Sequence, residues 1–214
     1  MKKEKLKIIY EDKDIIVVYK KSGLLTISTS IEKEKTLYHE VLLYLKSKNN
    51  KVFIVHRLDK DTSGLVIFAK NIQTKKYLQN NWQDFQKFYI TAVHGKLNKS
   101  KGIIQSYLKE SSTYQVYSTK SKNGKLAITE YEVINEKDNL SLLKITLKTG
   151  RKNQIRVHMH DINHPVLGDK KYGIKDNYKV LYLQCYYLKI IHPKSKKEMA
   201  FELPFDYIFN DLFK

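Results

Sequence analysis

The chain has 214 residues, with 40 Lys and Arg against 22 Asp and Glu and a formal net charge of +18. Hydrophobic residues make up 42% of it, which excludes a disordered chain, and a single cysteine, Cys185, excludes an internal disulfide framework. No apolar run is long enough for a membrane-spanning helix, and the opening Met1-Lys2-Lys3-Glu4-Lys5 lacks the apolar stretch of a signal peptide, so a cytoplasmic protein with no membrane partner is expected.

In chain order, Ile15 to Tyr19 is a β-branched run that predicts a buried strand. Leu37, Val41, Tyr44 and Leu45 follow helical spacing behind Thr36, a suitable N-cap. Val52 to Val55 and Leu65 to Ala69 read as two buried strands joined by the polar turn His56 to Gly64. Leu78, Trp82 and Phe85 predict the apolar face of a second helix, and Phe88 to Val93 returns to strand. Further strands are expected at 103–108, 114–119, 127–134 and 140–147. Ile155, Met159 and Ile162 predict a short helix after Gly150, and two strands follow near 180–190 and 198–203. No linker rich in Gly, Pro or Ser divides the chain. The expectation is one α+β domain over 1–214, its core about 10–205, with a largely antiparallel sheet flanked by a few helices.

The charge favours a polyanionic partner, because neutralised phosphates release counterions. The 16 tyrosines add rings on which unstacked RNA bases can lie, although many of them belong to the core. Three segments set polar groups against apolar flanks. Val55-His56-Arg57-Leu58-Asp59-Lys60-Asp61-Thr62-Ser63-Gly64-Leu65 places an acid in a loop between buried strands, where a rigid scaffold can hold a catalytic group. From spacing alone, Asp59 or Asp61 reads rather as a turn residue capping backbone amides. Lys87 to Gly95 alternates so that one strand face presents Tyr89, alone an ordinary core tyrosine. Thr149 to His160 leads from a glycine turn into a helix crowded with donors, where Arg156 could reach a carboxylate from another element or belong to a solvated basic face.

Together these segments resemble the RluA branch of the RluA/RsuA family of RNA pseudouridine synthases. His56-Arg57-Leu58-Asp59 followed by Thr62-Ser63-Gly64-Leu65 resembles that branch's catalytic motif. Lys87, Tyr89, Ala92 and Gly95 are similar to its tyrosine strand, and Gly150-Arg151-x-Asn153-Gln154-Ile155-Arg156-x-His158 to its arginine segment. His164-Pro165-Val166-Leu167-Gly168-Asp169 with Tyr172-Gly173 resembles the motif that follows. The resemblance runs from about Ile15 to Leu203. It departs from the family at Asn153, where histidine is usual, and at Lys20-Lys21-Ser22-Gly23, where the family has proline after the lysine. No S4-type RNA-binding module is expected ahead of the first strand.

The resemblance implies isomerisation of uridine to pseudouridine in structured RNA, ribosomal or transfer RNA. That reaction is redox-neutral and needs neither metal nor organic cofactor. Asp59 is implied as the nucleophile, through a covalent or a glycal intermediate. Arg156 would hold it ionised, with Arg151 the competing assignment. Tyr89 would stack on the target base and share in deprotonating carbon 5. Arg57 would fill the space left by the extruded base. Leu65 and Ile155 would form apolar walls, and Arg151, Asn153 and Gln154 would bind substrate. Leu58 is expected in the core, His56 as a loop-fixing hydrogen-bonder, and the whole as a monomer.

Two other readings compete. A metal-dependent hydrolase would use His158, His160, Asp161 and His164, but His158 and His160 are two apart on a predicted helix and face different ways. A catalytically inactive RNA-binding or assembly protein would share the charge and the tyrosines. The Lys-rich tracts 46–48, 120–122 and 194–197 are candidate phosphate grips, or ordinary solvated loops.

Overall fold

The computed structural model describes residues 6–48 and 50–214, so the opening Met1 to Lys5 segment lies outside the described residues. The chain runs β1 (Ile8–Glu11), β2 (Ile15–Lys20), α1 (Leu37–Lys46), β3 (Phe53–Ile54), β4 (Ser63–Ala69) and α2 (Ile72–Asn80). It continues through β5 (Gln86–His94), β6 (Lys101–Glu110), β7 (Val116–Thr119), β8 (Lys125–Lys137), β9 (Leu140–Leu147) and α3 (Gln154–Asp161). It closes with β10 (Leu183–Ile191), β11 (Glu198–Glu202) and α4 (Tyr207–Phe213). This is the expected α+β class, with antiparallel pairing in every strand register described. No described helix is long and apolar enough to cross a membrane.

The chain forms two compact units, one of residues 1–85 with 187–203, the other of residues 86–186 with 204–214. In the first unit β2 pairs β1 on one side and β4 on the other, from Ile15↔Ala69 to Lys20↔Gly64. Ile15 to Val18 are 0% exposed, as a four-residue β-branched run inside a sheet requires. Thr36 caps α1 through its hydroxyl, which accepts the His39 N–H at 3.1 Å. Leu37, Val41 and Leu45 then face inward. Asn71 caps α2 in the same way, accepting from Thr74 N at 2.8 Å.

The second helix ends sooner than its apolar spacing implies. The Asn81 backbone N–H and side-chain amide both donate to the Tyr77 carbonyl, at 3.2 and 2.8 Å, and turn the chain out of the helix. Trp82 and Phe85 lie past that end and still pack on the unit's core of Ile15, Val17, Leu65, Ile67 and Leu78.

The second unit is built on β5-β9-β8-β6-β7, antiparallel throughout. Helix α3 packs Ile155 and Met159 against Val93, Leu143 and Ile145. Val157, on its other side, joins Leu108, Val116, Ala127 and Tyr172. Helix α4 and strand β1 were not expected from sequence. Phe209 anchors α4 edge-on against Tyr182, with ring centres 5.7 Å apart.

Candidate active site

The residues singled out from sequence fall in both units, and each group is braced by its own surroundings. In the first unit the loop between β3 and β4 carries Arg57, exposed, and Asp59, half-buried. Its backbone is tied at four successive residues. The Thr26 hydroxyl donates to the Leu58 carbonyl at 2.7 Å and accepts the Leu58 N–H at 3.2 Å. The Asp59 carbonyl accepts the Thr62 N–H at 3.2 Å. The Lys60 carbonyl accepts from Lys20 Nζ at 2.7 Å and from Gly23 N at 3.0 Å. The Ser22 hydroxyl donates to the Asp61 carbonyl at 2.7 Å.

Lys20 is the centre of this bracing. It is 0% exposed, and its ammonium also donates to the carbonyls of Leu24 at 2.6 Å and Lys21 at 3.0 Å. Burial pushes its pKa down to about 7, against the pull of the Asp61 and Asp59 carboxylates. Three carbonyl acceptors match the three protons of an ammonium, so the geometry favours the charged form at neutral pH. The lysine was expected only as part of a turn; its role as a clamp depends on three carbonyls that the sequence does not show converging.

His56 is the loop-fixing residue expected. Its Nε2 accepts the Ile67 N–H at 3.1 Å, and its ring stacks on Trp82 with centres 4.2 Å apart. Leu58 is buried, as expected. Leu65 is 0% exposed within the core, and a pocket wall needs surface that it lacks here. Its place is behind the loop, fixing β4.

In the second unit Tyr89 is half-buried on β5, paired with Ile145 of β9 and packed against the cluster that contains Ile145 and Ile155 of α3. Arg156 is buried, and its fork closes on Asp169. Nε donates to Oδ2 at 2.7 Å and Nη2 to Oδ1 at 2.6 Å. The remaining nitrogen, Nη1, lies 3.4 Å from the Asn153 side-chain oxygen. Burial pushes the Asp169 carboxyl up, but the guanidinium and the N–H groups of Tyr172 and Lys171 outweigh it and hold the acid ionised. Asp169 stood in a recognised motif without a role; its partner is 13 residues away, a relation that only the folded loop creates.

Asn153 precedes α3 at φ 54°, a left-handed conformation that asparagine tolerates better than most residues. Its amide donates to the Tyr172 hydroxyl at 3.0 Å. Gln154, expected to bind substrate, is bonded at both ends of its side chain. Its oxygen accepts from Thr149 Oγ1 and Arg151 N, and its nitrogen donates to Ile128 O and Thr129 Oγ1. It ties α3 to β8. Arg151 is half-buried, with Nε donating to the Leu126 carbonyl at 2.9 Å. Ile155 is 4% exposed and belongs to the core.

The histidines fit no hydrolase site. His158 is 0% exposed, with Nδ1 2.8 Å from the Thr129 hydroxyl and Nε2 3.0 Å from the Ser106 hydroxyl, so both ring nitrogens are occupied. Burial pushes its pKa down to about 4, with Asp161 opposing, and the ring is neutral. His164 Nδ1 meets the His94 carbonyl at 2.8 Å. Among the described residues, the group of imidazole and carboxylate donors close enough to share an ion is Asp12, Asp14 and His192, in the first unit. There His192 Nδ1 accepts the Ser195 N–H at 3.1 Å, which leaves the proton on Nε2, facing Asp12 at 3.0 Å. A protonated nitrogen cannot bind a metal, so these residues do not fit one.

Comparison with known proteins extends the resemblance. The sequence model of the RNA pseudouridylate synthase family matches residues 14–161. The chain is 37% identical over 211 residues to the ribosomal large subunit pseudouridine synthase D of Borreliella burgdorferi, covering 92% of this chain and 65% of that protein. It is 37% identical over 215 residues to the ribosomal large subunit pseudouridine synthase C of Rickettsia conorii, covering 92% of this chain and 68% of that one. In fold it is similar to human RNA pseudouridylate synthase domain containing 1, with a TM-score of 0.80 at 24% identity, over 97% of this chain and 86% of that chain. With the motifs around Asp59, Tyr89 and Arg156 inside one matched family and the fold shared with its members, the chain belongs to the RNA pseudouridylate synthases, isomerases that convert uridine in RNA to pseudouridine.

Proposed function

We propose that this chain isomerises specific uridines in structured RNA, ribosomal or transfer RNA, with Asp59 as the nucleophile. The names of its relatives favour ribosomal RNA of the large subunit. The observation that carries the reading is the bracing of the Asp59 loop. A turn whose acid merely caps amides needs no buried ammonium beneath it, whereas a nucleophile must be held within a fraction of an ångström.

In this reading the Asp59 carboxylate attacks the ribose or the base while the N-glycosidic bond breaks. Carbon 5 of the freed, turned uracil then bonds to carbon 1′ as the bond to Asp59 is released, and the proton lost from carbon 5 is matched by one gained at nitrogen 1. Bonds broken and formed balance within the nucleotide, so no cofactor is required. Asp59 must be ionised to react. Arg156 is the candidate for that support. Tyr89 supplies the ring on which the base lies and a hydroxyl for the carbon 5 proton. Arg57, exposed on the same loop as Asp59, fills the stack that the base has left.

Asp59→Asn and Asp59→Ala are expected to abolish pseudouridine formation in large-subunit ribosomal RNA, read by chemical mapping, with RNA affinity within about two-fold of wild type. Turnover in either variant would remove Asp59 from the reaction.

A further inference from the structure

A groove of about 300 Å³ opens in the second unit between the β6–β7 hairpin, the start of β8 and the loop from Gly150 to Lys152. Leu108 and Val116, both buried, give it an apolar floor. Its rim carries Lys109, Lys125, Arg151 and Lys152, with Glu110 as the one acid. Glu110 is paired with Lys152. Lys125 pairs with Leu108 and shares its sheet face, whereas Lys109, the next residue along β6, turns to the other face with Tyr117 and meets the groove at its rim. With Lys152 paired to Glu110, Lys109, Lys125 and Arg151 leave the rim net positive, and a polyanion is the ligand that matches it.

Beside this rim the hairpin turn holds Tyr114 at φ 60° and 73% exposed. A left-handed backbone is costly for a bulky residue and persists only where its surroundings enforce it. Here Ser111 N donates to Gln115 O at 2.8 Å, the Ser111 hydroxyl accepts from Gln115 N at 3.1 Å, and Lys171 Nζ donates to the Tyr114 carbonyl at 3.0 Å. Lys152 Nζ lies 5.7 Å from the Tyr114 ring centre. The turn therefore strains its backbone to keep a ring in solvent beside a cluster of cations. An unpaired base with its phosphate has the matching chemistry. The groove also touches the proposed site: Val116 N–H, at its floor, donates at 3.1 Å to the Tyr172 hydroxyl that accepts from Asn153.

We infer that this groove is a second RNA subsite, gripping the phosphodiester backbone of an unpaired strand beside the target uridine and stacking one base on Tyr114. The inference rests on the RNA reading above, but nothing in it requires the isomerisation.

The test uses the full chain and a short single-stranded oligouridine, bound by fluorescence anisotropy across a salt series. The double variant Lys109→Gln/Lys125→Gln is expected to bind at least about ten-fold more weakly at low salt. Its slope of log affinity against log salt should fall by about 1.4, the release from two single-strand phosphates at roughly 0.7 each. Tyr114→Ala should weaken binding at least about five-fold. Lys13→Gln/Lys51→Gln, two exposed lysines of the first unit outside the Lys-rich tracts, is the control for bulk charge. An unchanged slope in the groove variant, or an equal loss in the control, would overturn the subsite. Pseudouridine formation in ribosomal RNA, followed in parallel, should show an unchanged kcat for the groove variant at saturating RNA. Absence of product from wild type would count against the proposed function, and the oligouridine slopes would still decide the subsite.

Discussion

Arg156 meets Asp169 through two parallel bonds of 2.7 and 2.6 Å in a buried setting, and Asp169 is fixed in turn by two backbone N–H groups. Such a pair stabilises little by itself, because desolvation offsets much of the attraction. What it supplies is aim: a guanidinium whose one edge is fixed has its other edge fixed too, since the group is planar. Asp169 is thus a positioning residue for the arginine proposed to face the nucleophile. Asp169→Asn is expected to lower kcat at least about ten-fold with RNA affinity nearly unchanged. Because breaking a buried pair costs about 3–5 kcal/mol, circular dichroism must first show that the variant folds. Arg156→Lys keeps the charge without the fork and should show the same fall in kcat. Wild-type kcat in both would mean that the fork serves only to hold the loop after α3. Neither this role nor that of Lys20 was legible in the sequence, where Lys20 read as part of a turn and Asp169 as part of a motif with no role of its own. The buried charges mattered because of their partners, and partners distant along the chain are set by folding.

Element by element, the pattern of apolar residues was a better guide. The buried runs of β2, β4 and β9, the capped helix α1 and the polar turn holding Asp59 all lie where periodicity and capping chemistry place them. The shortfalls have local causes. Strand β1 carries only Ile8, Ile9 and Tyr10 between Lys7 and Glu11, too short a run to register, and it is half-buried at the sheet's edge. Helix α4 is rich in aromatics, a composition more often read as strand, and its place depends on Phe209 finding Tyr182 and Phe205. Helix α3 was legible, but not the way it is held. His158, a residue of α3 itself, projects a neutral ring that is shared between the Thr129 and Ser106 hydroxyls. Its folded pKa of about 4 lies below the ordinary value of 6.5, so between those values the unfolded chain binds a proton that the folded chain refuses. Stability is therefore lost as pH falls through that window, by about 2 kcal/mol at pH ~5. The thermal midpoint should drop by roughly 5 °C between pH ~7.5 and ~5. His158→Gln, which can still bridge both hydroxyls, should flatten that drop. Parallel melting curves for wild type and variant would show that His158 does not carry the pH dependence.

Across the whole molecule the excess of 40 basic over 22 acidic side chains is sharper in its consequences than the total implies. Many of the acids are already committed: Glu132 to Lys101, Glu130 to Lys148, Glu11 to Lys70 and Lys48, Asp169 to Arg156. The exposed pairs, Glu132 with Lys101 and Glu130 with Lys148, add little stability, but all of these pairs cancel charge locally and leave the field to the lysines that have no acid beside them. A strongly basic chain can owe its charge to solubility or to a polyanionic substrate, and salt separates the two. If the charge serves RNA, each phosphate neutralised releases counterions, and the KM for ribosomal RNA should rise at least about ten-fold between roughly 50 and 200 mM salt. The proposed chemical step should respond differently. Buried pairs are screened far less than exposed ones, so kcat at saturating RNA should stay nearly constant over the same range. A KM indifferent to salt would assign the charge to solubility and weaken the case for RNA at the groove. A kcat falling in step with rising KM would place the proposed catalytic groups in open solvent, contrary to the burial of Arg156 and Asp169.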